Sequence, residues 1–237
     1  MPGTLIQVPF IFSCEHGGNR IPRQYRQLFK GQTRVLESHR GWDRGALQLA
    51  RRCARDCHAP LYYSEISRLL IDLNRSPHHR ALFSGVTRQM DACAKHKVCD
   101  EHYFPYRERV ESAIRGRQPG PVIHLSFHSF TPALNGVARN ADIGLLYDPA
   151  RPRELTFCRR LQTLLRQAFP DLAIRRNYPY RGTADGFTRY LRARFAARTY
   201  LGIELEINQQ HVRPGSRYWQ GMLEQFGRLL NALSRSD

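Results

Sequence analysis

Two histidines that follow short apolar runs are the first residues of this chain that could do chemistry. His16 stands in Ser13-Cys14-Glu15-His16-Gly17-Gly18-Asn19, at the end of the run Leu5–Ser13. His128 follows the run Val122–Phe127, and His124 lies four residues before it. On an extended strand His124 and His128 share a face, so the period alone does not separate them, and the strand-end position favours His128. A catalytic zinc takes about three protein ligands from His, Asp and Glu and keeps a position open for water. His16 and His128 supply two. Asp43, at the start of an expected helix, is the preferred third, with Glu15 and His124 as alternatives; a plain helix cap would explain Asp43 equally well.

Arginine and carboxylate follow the same pattern. Asp72-Leu73-Asn74-Arg75 ends an apolar run with a guanidinium, whose planar fork matches a substrate carboxylate in bidentate geometry. An internal ion pair with an acidic neighbour such as Asp72 is the competing explanation. Glu204 and Glu206 lie two apart on one apolar run and so on one face of a strand. An isolated buried carboxylate is costly, so at least one of them should be paired or functional. Beside a metal-activated water, such a carboxylate is the usual general base of amide hydrolysis. Other chemistries lack their signatures, since no GxGxxG, GK[ST] or GxSxG occurs. Cys14 and His16 do not form a nucleophile pair, because neighbours at a strand end point in different directions.

The elements that would carry these residues alternate. Strands are expected over Leu5–Ser13, Leu69–Leu73, Val122–Phe127, 142–147, 172–175 and 200–208. Helices are expected from Trp42 to about His58, with Ala46, Leu47, Ala50 and Cys53 on one face, and over 101–115, 153–168, 186–197 and 218–233. Such alternation predicts an α/β sandwich with a largely parallel sheet, whose site lies beyond the carboxyl ends of its strands. His16, Asn74, Arg75, His128 and Glu206 would all project there.

Composition sets the outer limits. The 237 residues, 41% hydrophobic and 24% charged, fit one domain spanning 1–237, with no repeat or linker. No apolar run reaches membrane-spanning length, and the first residues lack a charged stretch followed by an apolar one, so a soluble, intracellular chain with six free cysteines is expected. A net charge of +17 predicts attraction to anions. Nucleic acid is one candidate anion, but the arginines are spread over the whole chain without a basic tail or a recognised motif, so no specific nucleic-acid partner and no membrane partner is expected. A non-catalytic ligand sensor is a second alternative, which the presence of both His128 and Glu206 disfavours.

Taken in order, Ser13–Pro22, His39–Ala46, Asp72–Ser76, His128–Pro132 with Arg139, and Glu204–Gln209 closely resemble the N-formylglutamate amidohydrolase family over about residues 8–232. The resemblance implies a fold like the zinc-dependent exopeptidases, a three-layer sandwich around a mixed, mainly parallel sheet. It implies one zinc per chain and cytoplasmic release of formate from an N-acyl amino acid such as N-formyl-L-glutamate, a step of histidine degradation in some bacteria. By likeness to related zinc acylases it places Asn74 and Arg75 at the substrate carboxylate and favours Glu206 over Glu204 as base. Arg139 or Arg181 would then neutralise a second carboxylate or the developing oxyanion. Those acylases take zinc with a His-x-x-Glu pair, whereas the residue three after His16 here is Asn19, so the resemblance does not supply the third ligand.

Overall fold

Strand β1 (Phe10–Cys14) is buried at every position, the pattern of a strand covered on both faces. In this computed structural model, which describes residues 9–234, it is followed in chain order by α1 (Thr33–Leu36), α2 (Ala46–Asp56), β2 (Leu61–Tyr63), α3 (Ala92–Val98), α4 (Phe104–Arg115), β3 (Val122–Phe130), β4 (Ala133–Leu134), β5 (Val137–Ala138), β6 (Ile143–Leu146), α5 (Pro152–Ala168), β7 (Ile174–Arg176), α6 (Phe187–Arg194), β8 (Tyr200–Asn208) and α7 (Arg217–Ser234). The part of the expected first strand over Leu5–Val8 lies outside the described residues.

The main sheet has the order β2-β1-β3-β8-β6-β7. β1, β2, β3 and β8 run parallel, while β6 is antiparallel to β8 and parallel to β7. The sheet is therefore mixed and mainly parallel, and the carboxyl ends of β1, β3 and β8 share one edge. Helices cover both faces. Phe10, Phe12 and Cys14 of β1, with Leu125 and Phe127 of β3 and Ile203 and Leu205 of β8, pack under α2, α5 and α7. α7 buries Trp219, Met222, Leu223, Phe226, Leu230 and Leu233, the spacing of one helical face. Ile11, Val122 and Tyr200 turn the other way, toward α4, α6 and the irregular segment that contains Leu69–Leu73. On this second face the two central strands are polar: His124 stands opposite Gly202, Ser126 opposite Glu204 and His128 opposite Glu206.

One local expectation changes. Leu69–Leu73 is buried but forms turns rather than a strand; Leu70 donates its N–H to Ser67, Asp72 to Leu82, and Asn74 to the Asp72 side chain. Side-chain and turn partners thus satisfy the backbone that a sheet would have paired, and the edge beside β1 goes to Leu61–Tyr63. Past Pro132 lies the β4–β5 hairpin, where Asn135 and Gly136 both take positive φ. None of the six cysteines forms a disulfide. No helix among the described residues is long and apolar enough to cross a membrane.

Candidate active site

β1 delivers Glu15 and His16 to the sheet edge, and the turn after them runs tight against residues 64–66. Gly17 and Arg20 donate backbone hydrogen bonds to Ser64 and Glu65 at 2.9 Å, and a Cβ on Gly18 would come within 2.7 Å of the Glu65 carbonyl oxygen. Only glycine permits that approach. The Asp43 N–H in turn donates to the His16 carbonyl at 2.9 Å, which brings the segment before α2 back over the strand end.

His16, Asp43 and His128 meet there, all buried, each offering one ligand atom within 4.8 Å of the others. Both histidines turn Nδ1 toward Asp43 Oδ2, at 3.4 Å from His16 and 2.9 Å from His128. Each gives Nε2 to a further carboxylate: His16 to Asp72 at 2.7 Å, and His128 to Glu15 at 3.2 Å and Ser126 Oγ at 2.9 Å. Glu15 is itself held by the Ser126 and Tyr106 hydroxyls at 2.5 and 2.8 Å. A metal-binding histidine ordinarily donates its outer ring N–H to a carboxylate in this way.

Charge follows from the same contacts. Burial by itself raises carboxylates and lowers histidines, yet His128 and Ser126 hold Glu15 well below the usual carboxylate range, and His16, His128 and Arg68 do the same for Asp43. Burial likewise opposes ionisation of Asp72, but the Arg68 and His16 charges hold it low. Against its own burial, His128 is held well above an ordinary histidine by Asp43 and Glu15, and His16 is raised through Asp72 and Asp43 despite burial and the Arg68 charge. Two histidines and an aspartate, with a further carboxylate behind each ring, form a donor set that would fit a divalent cation, which takes its imidazole ligands in the neutral form.

Asp72 therefore matters more than its sequence context suggested, where it served only as an ion-pair partner for Arg75. Asp72→Asn is expected to weaken metal affinity by about tenfold to a hundredfold, the usual worth of such an outer carboxylate, as measured by competition with a chelator of known affinity. Unchanged affinity would leave Asp72 a partner of Arg68 alone.

Around this cluster lies a cavity of about 140 Å³, lined also by Arg68, Asn74, Arg75, Ser129, Tyr180, Arg181, Ala184, Asp185, Glu204 and Glu206. Its size takes a small molecule. Arg68 binds Asp72 at 2.7 Å and Asp43 at 3.4 Å, and its place four residues before Asp72 is its single local signal. Arg75 donates to the Asp185 carbonyl at 3.0 Å and stands 3.9 Å from Asp72. Burial, the largest influence, pushes Glu206 up to about 8, and Glu206 Oε2 is buried with no hydrogen-bond partner among the described residues. Glu204 Oε1 accepts from the Thr188 hydroxyl at 2.6 Å. Gly144, opposite Glu206 on β6, leaves room for the Tyr178 carbonyl that a Cβ would strike.

Three sequence candidates, Glu15, His124 and Arg139, stand elsewhere, as does Asn19, which the sequence did not favour as a ligand. Glu15 backs His128 instead of joining the three. His124 hydrogen-bonds Tyr200 and Ser13 at 2.8 Å, one strand period deeper in the sheet. Asn19 donates to the Leu36 carbonyl at 3.2 Å. Arg139 does not line the cavity; its guanidinium stacks between Phe130 and Tyr180 and donates to the Tyr180 hydroxyl at 2.9 Å.

No curated protein sequence matches the chain. Among solved structures, a gene product of Agrobacterium tumefaciens is 28% identical, with 96% of this chain and 92% of that one covered at a TM-score of 0.78. An N-formylglutamate amidohydrolase from Ralstonia eutropha JMP134, 17% identical, shares the fold with 96% and 94% coverage at a TM-score of 0.67. Residues 8–212 match the family of N-formylglutamate amidohydrolases, most of the chain and all the residues of the cavity. With that match over this cluster, the chain belongs to the N-formylglutamate amidohydrolase family.

Proposed function

We propose that this protein is a zinc-dependent amidohydrolase that takes the formyl group from an N-formyl amino acid, N-formyl-L-glutamate first among them, releasing formate and the free amino acid. The observation that carries this is the pair of histidines that converge on Asp43 through Nδ1 and on separate buried carboxylates through Nε2. His16, Asp43 and His128 would hold the zinc, one ion per chain. Zinc, when bound, supplies the positive charge that polarises the scissile carbonyl and acidifies the attacking water.

The remaining work falls to the chain. Glu206, whose Oε2 has no other partner among the described residues and whose carboxylate form the charge of a bound zinc would favour against its burial, takes the proton of the attacking water and passes it to the leaving amine nitrogen. Arg75 and Asn74 hold the α-carboxylate of the substrate, and Arg181 meets its second carboxylate. Arg68 keeps Asp43 and Asp72 in place. Glu204, tied to Thr188, shapes the wall beside Glu206. Arg139 acts at the cavity mouth through Tyr180 instead of on the reacting atoms. A small anionic substrate suits a chain of net charge +17.

Formate release from N-formyl-L-glutamate by protein stripped of metal and then reloaded with zinc tests the proposal. Activity that returns in proportion to zinc, up to one ion per chain, supports it, and full activity in the stripped protein overturns it. The substrate class has its own test. Arg75→Lys is expected to raise KM about tenfold, equivalent to roughly 1.4 kcal/mol, because a point charge replaces a bidentate fork. The α-carboxamide of the substrate should react about a hundredfold more slowly than the acid, having no charge to pair with Arg75. Equal rates on acid and amide would remove Arg75 from the carboxylate site.

A further inference from the structure

Arg107, on α4, is buried at 4% exposure, yet among the described residues it forms no ion pair with an aspartate or glutamate. Burying a guanidinium without a counter-charge is costly, so the surroundings that replace the carboxylate show what holds it there. Its Nη1 donates to the carbonyls of Leu73 at 3.0 Å and Arg75 at 3.2 Å, the residues on either side of Asn74. Three rings cover the guanidinium: Phe187 and Tyr190, both 4.3 Å from it, and Tyr103 at 4.9 Å. Two of those rings belong to residues that reach the same segment again. The Tyr103 hydroxyl donates to the Arg75 carbonyl at 2.6 Å, and the Phe187 N–H donates to Asn74 Oδ1 at 2.6 Å.

From this we infer that Arg107, with Tyr103 and Phe187, is a positioning unit that fixes the Asn74-Arg75 pair, and so sets how strongly the enzyme prefers a free carboxylate on its substrate. The inference rests on the proposal that Asn74 and Arg75 hold that carboxylate. Both carbonyls flanking Asn74 are anchored, and its side-chain oxygen is occupied by α6, so Nδ2 carries what hydrogen-bonding capacity Asn74 has left. Arginine suits the place because Nη1 alone reaches both carbonyls while the flat faces of the guanidinium lie on three aromatic rings; a lysine ammonium could donate to the carbonyls but has no plane to stack between the rings. None of these residues lines the cavity except Asn74 and Arg75, so the unit acts only through them.

The test compares Arg107→Lys, Tyr103→Phe and Arg75→Lys on N-formyl-L-glutamate and its α-carboxamide, with zinc content measured in each. Tyr103→Phe keeps the ring and removes only the hydroxyl bond, which keeps the question answerable if Arg107→Lys does not fold. Arg107→Lys is expected to raise KM for the acid about tenfold and Tyr103→Phe about threefold, with kcat within about twofold, full zinc, and an acid-over-amide preference reduced by the same factors. Because Arg107 acts through Arg75, the double variant with Arg75→Lys should be no worse than Arg75→Lys alone. Losses equal on acid and amide, or additive in the double variant, would overturn the inference and leave Arg107 a stability residue. If Arg75→Lys itself leaves the preference unchanged, the carboxylate proposal fails and this inference fails with it; a preference altered by Arg75→Lys but by neither cage variant refutes the inference alone.

Discussion

His16→Ala and His128→Ala are each expected to yield a folded protein that retains no zinc through gel filtration and releases no formate from N-formyl-L-glutamate. Removing one of three ligands, and unpairing the carboxylate behind it, is expected to lower metal affinity on the order of a thousandfold, about 4 kcal/mol. The two variants should not behave alike in every respect. Without His128, Glu15 keeps the Ser126 and Tyr106 hydroxyls; without His16, Asp72 keeps Arg68 and the Asn74 N–H. Each orphaned carboxylate thus retains partners, which is why the fold survives, as far-ultraviolet circular dichroism should report. Full zinc content in either variant would place the metal elsewhere.

Glu206→Gln separates chemistry from binding. The amide keeps the size of the side chain but cannot accept the proton of the attacking water, so kcat should fall on the order of a hundredfold to ten-thousandfold while zinc content and KM hold. Glu204 lies on the same face, one strand period earlier, and its Oε1 is already engaged by Thr188. Glu204→Gln should therefore lose far less. If Glu204→Gln shows the larger loss, the two same-face carboxylates have exchanged roles and the free Oε2 of Glu206 is incidental to the reaction.

How much of this was legible in the sequence depends on whether a residue is placed by its own element or by a distant one. β3 and β8 are mostly apolar, so their positions, and the shared face of Glu204 and Glu206, follow from period, although β3 continues to Phe130, three residues past the expected Phe127, because His128 and Ser129 keep the pairing with β8. The turn of His16 onto the sheet edge could be read from a strand that stops at two glycines. Asp43 could be named but not separated from Glu15 or His124, because that choice depends on a 27-residue excursion returning over β1. The Leu69–Leu73 run misled because burial, which its composition reports, does not distinguish a strand from a well-satisfied irregular segment. That segment supplies Arg68 and Asp72, and its partners, His16 and Asp43, are set by tertiary contact beyond any local pattern. The β4–β5 hairpin, by contrast, is carried by a local signal, the Asn135-Gly136 dipeptide, whose residues both take positive φ.

The polar row shared by β3 and β8 has a consequence for folding fidelity. Both strands are buried along nearly their whole lengths, so apolar burial changes little if one slides past the other. Their polar positions remove that freedom. A slip of one residue would drive His128 or Glu206 into the apolar layer under α2, α5 and α7, and a slip of two would part His128 from Glu206 and carry Ser126 away from Glu15. The buried groups proposed here to hydrolyse an amide thus double as alignment marks for the two central strands. A redesign that replaced them with aliphatic residues for stability would give up more than activity: it would erase the feature that makes one alignment of the sheet better than its neighbours.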